Sequence, residues 1–199
     1  MSEGVDRDKR RFLTLLTASV GAVGAGFAAT PFVLSMTPSA RAKAAGAPVE
    51  VDISKLEMGQ LMTVEWRGKP VWIMRRTKDQ LEKLPGIAGL LADPDSKVTD
   101  QQPGYAANVN RSIKPEVLVL VGVCTHLGCS PQQKTQIGPV SGMGEDWPGG
   151  FFCPCHGSKF DLSGRVYKNV PAPTNLPVPP HMFVGDTKIL IGEDKKGAA

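Results

Sequence analysis

A surplus of basic residues is missing from most of this 199-residue chain. The formal net charge is +4, but residues 44–199 hold 17 Lys and Arg against 16 Asp and Glu, so the basic excess flanks an N-terminal apolar segment. A protein that binds nucleic acid through its surface charge needs a basic patch on the folded domain. The charge distribution excludes this class of function.

Internal repeats of 20–50 residues are also absent, which excludes repeat architectures. With 41% hydrophobic and 21% charged residues, a chain of this length has room for one ordinary domain and an appendage. Its 22 glycines and 17 prolines approach a fifth of all residues. This proportion favours a loop-rich β fold over a helix bundle.

Charge is absent from the 29 residues between Arg11 and Arg41. A helix needs about 20 apolar residues to cross a bilayer, whereas the apolar part of a cleaved signal is typically about 7–15 residues long. We therefore predict a transmembrane anchor over residues 12–36, after a cytoplasmic segment 1–11. Four basic residues precede the run and two follow it, which places the following domain outside the cytoplasm. Small-x-small sites at Ala40 and Ala42 leave a cleaved signal as the alternative.

The start of this segment, Arg10-Arg11-Phe12-Leu13, resembles a twin-arginine export signal. That route exports proteins already folded around a cofactor. The usual motif has one residue between the basic pair and Phe-Leu, so here Lys9 and Arg10 would act as the pair. Residues 37–48 are small and polar without periodicity, which predicts a flexible hinge linker between the anchor and the head.

Short strands dominate the head, residues 49–199. The strand-like segments are Leu61–Trp66, Pro70–Met74, Val117–Val121, Met182–Val184 and Lys188–Ile191, and Lys78–Leu84 has helical composition. Residues 92–115 are polar and turn-rich, so we predict a long surface excursion there. The pattern indicates a small antiparallel β-sandwich with an insertion.

Three tryptophans, two arginines and one histidine have ordinary structural interpretations. We expect the three tryptophans in the core or an interface, the basic pair in solvent, and the third histidine at the surface or a sheet edge. These residues are Trp66, Trp72 and Trp147, then Arg75 and Arg76, and then His181.

All four cysteines and two of the three histidines lie in two short stretches, listed here as Cys124, His126 and Cys129 in the first and Cys153, Cys155 and His156 in the second. Two plain disulfides would leave the paired histidines unexplained. A structural zinc site uses Cys₂His₂ sets with other spacings and would leave two cysteines over. A 2Fe–2S cluster with one Cys and one His from each stretch uses every one of these residue types.

The two stretches match the pattern Cys-x-His-x-x-Cys followed by Cys-x-Cys-His-x-Ser at every fixed position. This pattern resembles that of the Rieske iron–sulfur proteins. With its apolar segment and linker, the chain is similar to the Rieske subunits of bacterial ubiquinol–cytochrome c reductases, the cytochrome bc complexes. The resemblance implies a mainly β protein, with an N-terminal transmembrane helix and an antiparallel β-sandwich Rieske head that carries a helix/loop insertion and a small cluster-binding subdomain.

The resemblance assigns roles to residues within 122–173. It makes Cys124 and Cys153 ligands of one iron of a Rieske-type 2Fe–2S cluster, His126 and His156 ligands of the other, and Cys129 and Cys155 a disulfide. It gives Ser158 a hydrogen bond to a cluster sulfide. Quinol docking and cluster shielding fall to Leu127 and Gly128 and to the proline-loop residues Pro171, Ala172 and Pro173.

The ligand set has a chemical consequence. Two ferric ions, two sulfides, two thiolates and two neutral imidazoles sum to zero charge, so the cluster takes up an electron more readily than an all-Cys cluster. The added electron raises the pKa of the imidazoles, which couples proton uptake to reduction and makes His126 and His156 the catalytic pair for quinol oxidation. Many respiratory members of the family have Tyr two residues after the serine, where this chain has Phe160. This difference predicts a lower midpoint potential of the cluster than in a relative that has the tyrosine.

The resemblance implies a bacterial inner-membrane protein with a single span and its head in the periplasm. Its partners would be ubiquinol, the lipid bilayer, and the cytochrome b and c-type cytochrome subunits of a bc complex. It would take an electron from ubiquinol with proton release and pass it to the c-type cytochrome. The alternatives are the small Rieske subunit of a periplasmic arsenite oxidase and a soluble Rieske ferredoxin or oxygenase component.

Overall fold

The computed structural model of the chain describes residue 4, residues 6–194 and residues 197–198. The predicted segments 1–11 and 49–199 therefore lie partly outside the described residues. The chain divides into two compact units, Met1–Ala44 and Ala45–Ala199.

The first unit is helical. Helix α1, Arg7–Ser35, begins after Asp6, whose carboxylate accepts hydrogen bonds from the backbone N–H groups of Asp8 and Lys9, both at 3.1 Å. The helix is long and apolar enough to cross a membrane, and its apolar side chains are exposed. A second helix, α2, covers Ala40–Ala45 inside the predicted linker, and the composition of that segment did not predict it.

The second unit is built from short strands. Their bounds are β1 Val49–Asp52, β2 Leu61–Trp66, β3 Lys69–Arg75, β4 Val117–Val121, β5 Gln132–Lys134, β6 Gly150–Phe152, β7 Lys159–Asp161, β8 His181–Val184, β9 Lys188–Ile191, β10 Glu193–Asp194 and β11 Gly197–Ala198. Helix α3 is Lys78–Lys83, and single 3₁₀ turns lie at Ala88–Leu90, Thr99–Gln101, Gly104–Ala106 and Pro139–Ser141. The predicted strands and the predicted helix are confirmed within one residue at each end.

The strands form three antiparallel three-stranded sheets, in the orders β1-β9-β8, β2-β3-β4 and β5-β6-β7, and β10 pairs with β11. Strand β3 is the centre of the second sheet, with Val71 opposite Val64 on β2 and Val121 on β4. The first two sheets share an apolar core, which makes them the predicted β-sandwich.

Strands β3 and β4 are apolar on both faces because both faces are covered. Side chains of successive strand residues point to opposite faces. One face packs in the core shared with β1 and β9, and the other packs in a second core with β6, β7 and the two cysteines Cys124 and Cys153. The first set is Val71, Ile73, Val117 and Val119, and the second is Trp72, Met74, Leu118 and Leu120. The run Val117–Val121 is therefore the layer between the sandwich core and the cysteine-bearing loops.

The tryptophans are buried, as predicted, and one of them shapes the exit from β4. Trp72 stacks on Phe151 with ring centroids 4.8 Å apart. Its indole lies against Gly122, where a Cβ atom would overlap the ring. Only glycine lets β4 pass this close to the indole before the chain turns into the first cysteine-bearing loop.

The expectation that Arg75 and Arg76 lie in solvent is wrong for Arg76, which is completely buried. Its guanidinium donates hydrogen bonds of 2.8–3.1 Å to carbonyl oxygens and hydroxyls, those of Asn110, Ser112, Pro115, Leu162 and Ser163. Burial lowers the pKa of Arg76 to about 9, which leaves the side chain charged at neutral pH. The expectation failed because hydrogen bonds to groups from separate parts of the chain compensate the cost of burying the Arg76 guanidinium.

Arg76 belongs to a buried arginine cluster with Arg111 and Arg165. Arg165 forms an ion pair of 2.7 Å with Asp161, which is the one acidic residue among the buried residues of the described chain. Arg111 donates to the carbonyl oxygens of Ser163 and Leu176. All three side chains thus hold the turn 161–165 that follows β7. Residues 92–115, predicted as a surface excursion, supply part of this buried network.

We predict that Arg76→Met lowers the free energy of unfolding by roughly 3–5 kcal/mol, because it leaves several buried carbonyls and hydroxyls without a donor. Arg75→Met is the matched control, since Arg75 is partly exposed and donates to the carbonyl oxygen of Leu56 at 3.1 Å. The control should cost about 1 kcal/mol or less. Equal losses for the two variants in chemical unfolding would contradict the buried role of Arg76.

His181 lies on the edge strand β8, which confirms one of the two expected positions, and its side chain is buried. Its Nδ1 lies 2.9 Å from the carbonyl oxygen of Pro179, and its Nε2 is buried with no hydrogen-bond partner in the described part of the chain. The hydroxyl of Tyr105 accepts from the backbone N–H of His181 and donates to its carbonyl oxygen. Burial lowers the pKa of His181, against smaller opposing effects of the Pro179 carbonyl and Asp194.

This lowered pKa predicts a pH dependence of stability. Below about pH 6.5 the unfolded chain binds a proton at His181 that the folded chain takes up only at lower pH, so stability is lost as the pH falls from 6.5 through the folded-state pKa. His181→Phe keeps a ring against Tyr105 and removes this titration. Thermal unfolding followed by circular dichroism at pH 7.5 and pH 5.5 should show a smaller difference for the variant. An unchanged difference would mean that His181 does not cause it.

Candidate metal centre

The two cysteine-bearing loops have the same backbone closure, which the sequence pattern did not show. In loop 1, residues 124–129, the N–H of Cys124 donates to the carbonyl oxygen of Cys129, and the N–H of Gly128 donates to that of Cys124. In loop 2, residues 153–158, the N–H of Cys153 donates to Ser158 and the N–H of Gly157 donates to Cys153 in the same way. In each loop, therefore, the backbone of the first cysteine is hydrogen-bonded to the backbone of the fourth and fifth residues after it.

The glycine at the fourth position makes this closure possible in both loops. Gly128 has φ of 84° and Gly157 has φ of 78°, values that are costly for residues with a side chain. The recurrence of glycine four residues after Cys124 and after Cys153 is the sequence signal that could have predicted the shared geometry.

The predicted disulfide between Cys129 and Cys155 is confirmed, and it joins the two loops. The other two cysteines, Cys124 and Cys153, are free thiols with 2% exposure each. Burial, and then the adjacent Cys153, raise the pKa of Cys124. A metal ion would bind two neighbouring cysteines of this kind as thiolates.

The histidines of the two loops, unlike Cys124 and Cys153, are not buried. The rings of His126 and His156 are 4.7 Å apart between centroids and nearly perpendicular, and both are accessible to solvent. Leu127 beside them is 71% exposed, and Gly128 is exposed as well. The site therefore combines two buried thiols with two solvent-accessible imidazoles.

This donor set fits a Rieske-type cluster. Three sulfur atoms, those of Cys129, Cys153 and Cys155, lie within 4.8 Å of one another, but a disulfide sulfur offers no thiolate to a metal. The free donors from the two loops are two thiols and two imidazoles, the ligand set of a 2Fe–2S centre in which His₂ replaces Cys₂ on one iron. Each loop supplies one of each kind.

A third segment, residues 171–174, is hydrogen-bonded to both loops. The hydroxyl of Ser158 accepts from the backbone N–H of Ala172 at 3.0 Å, and the hydroxyl of Thr125 donates to the carbonyl oxygen of Thr174 at 2.7 Å. Ala172 is buried between the exposed Pro171 and Pro173. Sequence reasoning missed Thr125, since only folding brings residue 174 next to it.

Phe160 is completely buried in the core that also contains Cys124 and Cys153. It pairs with Phe151 across β6 and β7. An apolar ring therefore occupies the position where many respiratory Rieske proteins have a tyrosine.

Comparisons with known proteins identify the family. The profile described as "Rieske [2Fe-2S] domain" matches residues 91–180, and the one described as "Ubiquitinol-cytochrome C reductase Fe-S subunit TAT signal" matches residues 1–39. The "Ubiquinol-cytochrome c reductase iron-sulfur subunit" of Allochromatium vinosum is 59% identical over 197 residues, 99% of this chain and 94% of the relative. The chain belongs to this family. Its cofactor is a Rieske 2Fe–2S cluster.

A second curated relative and a solved structure also match this chain over most of its length. The protein of the same name from Blastochloris viridis is 45% identical over 96% of this chain and 96% of the relative. A solved chain of "Hyperthermophilic respiratory Complex III" is 28% identical, with a TM-score of 0.47, over 88% of this chain and 98% of that one. The similarity to the curated relatives includes the N-terminal segment as well as the Rieske head.

We predict that Thr125→Val speeds loss of the cluster to a chelator, because it removes a hydrogen bond worth about 1 kcal/mol between loop 1 and residues 171–174. The decay of visible absorbance after chelator addition measures this rate. Thr187→Val is the control, since Thr187 is exposed and lies between β8 and β9. Identical decay for the two variants would show that the Thr125 hydroxyl does not help to retain the cluster.

Proposed function

We propose that this chain is the electron-transfer subunit of a ubiquinol–cytochrome c reductase, a cytochrome bc complex. In this role it takes part in electron transfer from ubiquinol to a c-type cytochrome, with release of the protons of the quinol. The observation that carries the proposal is that each of two disulfide-joined loops supplies one buried thiol and one solvent-accessible imidazole. The 59% identity to a named iron–sulfur subunit over nearly the whole chain supports it.

The proposed ligands are Cys124 and Cys153 on one iron and His126 and His156 on the other. The bound cluster supplies one-electron redox chemistry at a potential raised by its imidazole ligands. An imidazole has two ring nitrogens, so each histidine can bind a metal through one and hold a proton or a hydrogen bond on the other. We place quinol docking at this exposed pair, with Leu127 and Gly128 beside it.

The remaining residues of the site orient and shield it. The hydroxyl of Ser158 accepts from Ala172, so its own proton is available to an acceptor such as a cluster sulfide. Pro171, Ala172 and Pro173 belong to the third segment, and we assign them the role of limiting access of water to the cluster. The Cys129–Cys155 bond requires an oxidising compartment, which supports a head on the periplasmic side.

We place the chain in the bacterial inner membrane, with residues 12–36 as a single span and residues 37–48 as the hinge. The length and apolar composition of α1 and the match to a Tat-signal family support export with a retained anchor. The partners would be the cytochrome b and c-type cytochrome subunits, ubiquinol and lipid.

The first test is a reduced-minus-oxidised optical spectrum of the protein purified from its native membranes in mild detergent. Bands of both b-type and c-type haem are expected from co-purifying subunits. A haem-free preparation that contains molybdenum would move the chain to the arsenite oxidase class. A soluble iron–sulfur protein with no co-purifying subunit would support the ferredoxin or oxygenase alternative, which the disulfide and the apolar helix do not favour.

We predict that Phe160→Tyr raises the midpoint potential. A hydroxyl that donates to a ligand sulfur stabilises the reduced state, and a hydrogen bond of about 1 kcal/mol corresponds to roughly 40 mV for one electron. Phe183→Tyr, in the sandwich core formed by the other two sheets, is the control and should leave the potential unchanged. A redox titration in which the two variants behave alike would refute the effect.

A stiffer hinge should slow turnover. Proline at positions 42 and 44 removes backbone freedom, and glycine at the same positions interrupts α2 but keeps the linker mobile. We predict lower quinol–cytochrome c activity for Ala42→Pro with Ala44→Pro and near-normal activity for Ala42→Gly with Ala44→Gly, at unchanged midpoint potential. Equal losses in both would indicate that the helix, and not mobility, is what turnover requires.

A further inference from the structure

The sulfur of Cys153 lies close to the disulfide that joins the loops. The Sγ atoms of Cys153, Cys129 and Cys155 are within 4.8 Å of one another. Cys124 does not belong to this group of three sulfur atoms. Cys153 itself is not part of a disulfide. A thiol held beside a disulfide has the arrangement required for thiol–disulfide exchange.

We propose that Cys153, whenever it is not bound to iron, exchanges into the Cys129–Cys155 disulfide, so that iron ligation protects the native bond. This proposal goes beyond the electron-transfer function and rests on Cys153 being a ligand of the cluster. Ligation occupies the Cys153 sulfur, and loss of the cluster returns it as a nucleophile a few ångströms from the bond.

The exchange is balanced without an added oxidant or reductant. The Cys153 thiolate attacks the Cys129 sulfur, a Cys129–Cys153 bond forms, the Cys129–Cys155 bond breaks, and its electron pair leaves on Cys155. Cys155 is exposed, whereas Cys129 is partly buried. Water can solvate the charge that leaves on the exposed Cys155 sulfur, which favours this direction of exchange.

The product still joins the two loops, but it has lost one of the two buried thiols. Cys124 remains, while the other free sulfur is now Cys155, on the exposed side of loop 2. Iron then has one buried cysteine ligand, Cys124, instead of two. The exchanged protein should therefore fail to rebind a cluster until a reductant reopens the new bond.

The experiment uses the full chain in detergent with its cluster, confirmed by iron content and visible absorbance. A ferric chelator removes the iron under anaerobic conditions, and released sulfide is removed by gel filtration, since sulfide also attacks disulfides. After acid quenching and alkylation, peptide mapping by mass spectrometry identifies the disulfide. We expect Cys129–Cys155 before chelation and a bond that includes Cys153 afterwards, with loss of reconstitution by iron and sulfide and its rescue by dithiothreitol.

Cys153→Ser and Cys124→Ser form a matched pair, since each loses one buried thiol. Cys153→Ser should keep Cys129–Cys155, and Cys124→Ser should show the exchanged bond, with circular dichroism confirming that both are folded. Retention of Cys129–Cys155 in chelated wild type and in Cys124→Ser would overturn the proposal. A wild-type chain isolated without iron would count against the cluster function, and its disulfide map would still decide the exchange.

Discussion

The relative position of the two loops that carry the proposed iron ligands depends on the Cys129–Cys155 disulfide. Each loop is closed within itself by hydrogen bonds to Cys124 or Cys153, and these bonds orient its own cysteine and histidine. The covalent bond holds loop 1 and loop 2 together, so that their cysteines and histidines belong to one site. In the chain-entropy model, closing a loop of this length stabilises the folded state by about 3.5 kcal/mol. The sulfur atoms of the same bond lie within 4.8 Å of the Cys153 sulfur.

The sheet below the site provides the rigid support. Strand β4 is buried on both faces and leads directly through Gly122 into loop 1, while β6 and β7 flank loop 2. The buried arginine cluster holds the turn after β7 to segments far away in the chain. A centre that must change its charge without moving its ligands benefits from such supports, because packed interiors deform little.

The polarity of the site connects structure and function. The thiols of Cys124 and Cys153 are shielded from water, and the imidazoles of His126 and His156 are accessible to solvent. Residues 171–174 complete the enclosure through one hydrogen bond to each loop. Electron transfer coupled to proton transfer needs both conditions at once, a protected redox centre and accessible titrating groups.

The sequence by itself determined strands β2, β3, β4, β8 and β9 of the head, the long apolar helix and the residue types of the site. Hydrophobic runs such as Val117–Val121 and the spacing of cysteines and histidines are local signals. They can be interpreted without knowledge of the contacts that the rest of the chain makes. The burial of Arg76 and His181, the Thr125–Thr174 bond and the approach of Cys153 to the disulfide were decided by the tertiary structure. Each depends on partners from separate segments, for example residues 110–115 and 162–163 around Arg76. A polar side chain is buried when distant groups satisfy it, and a local pattern carries no information about those groups.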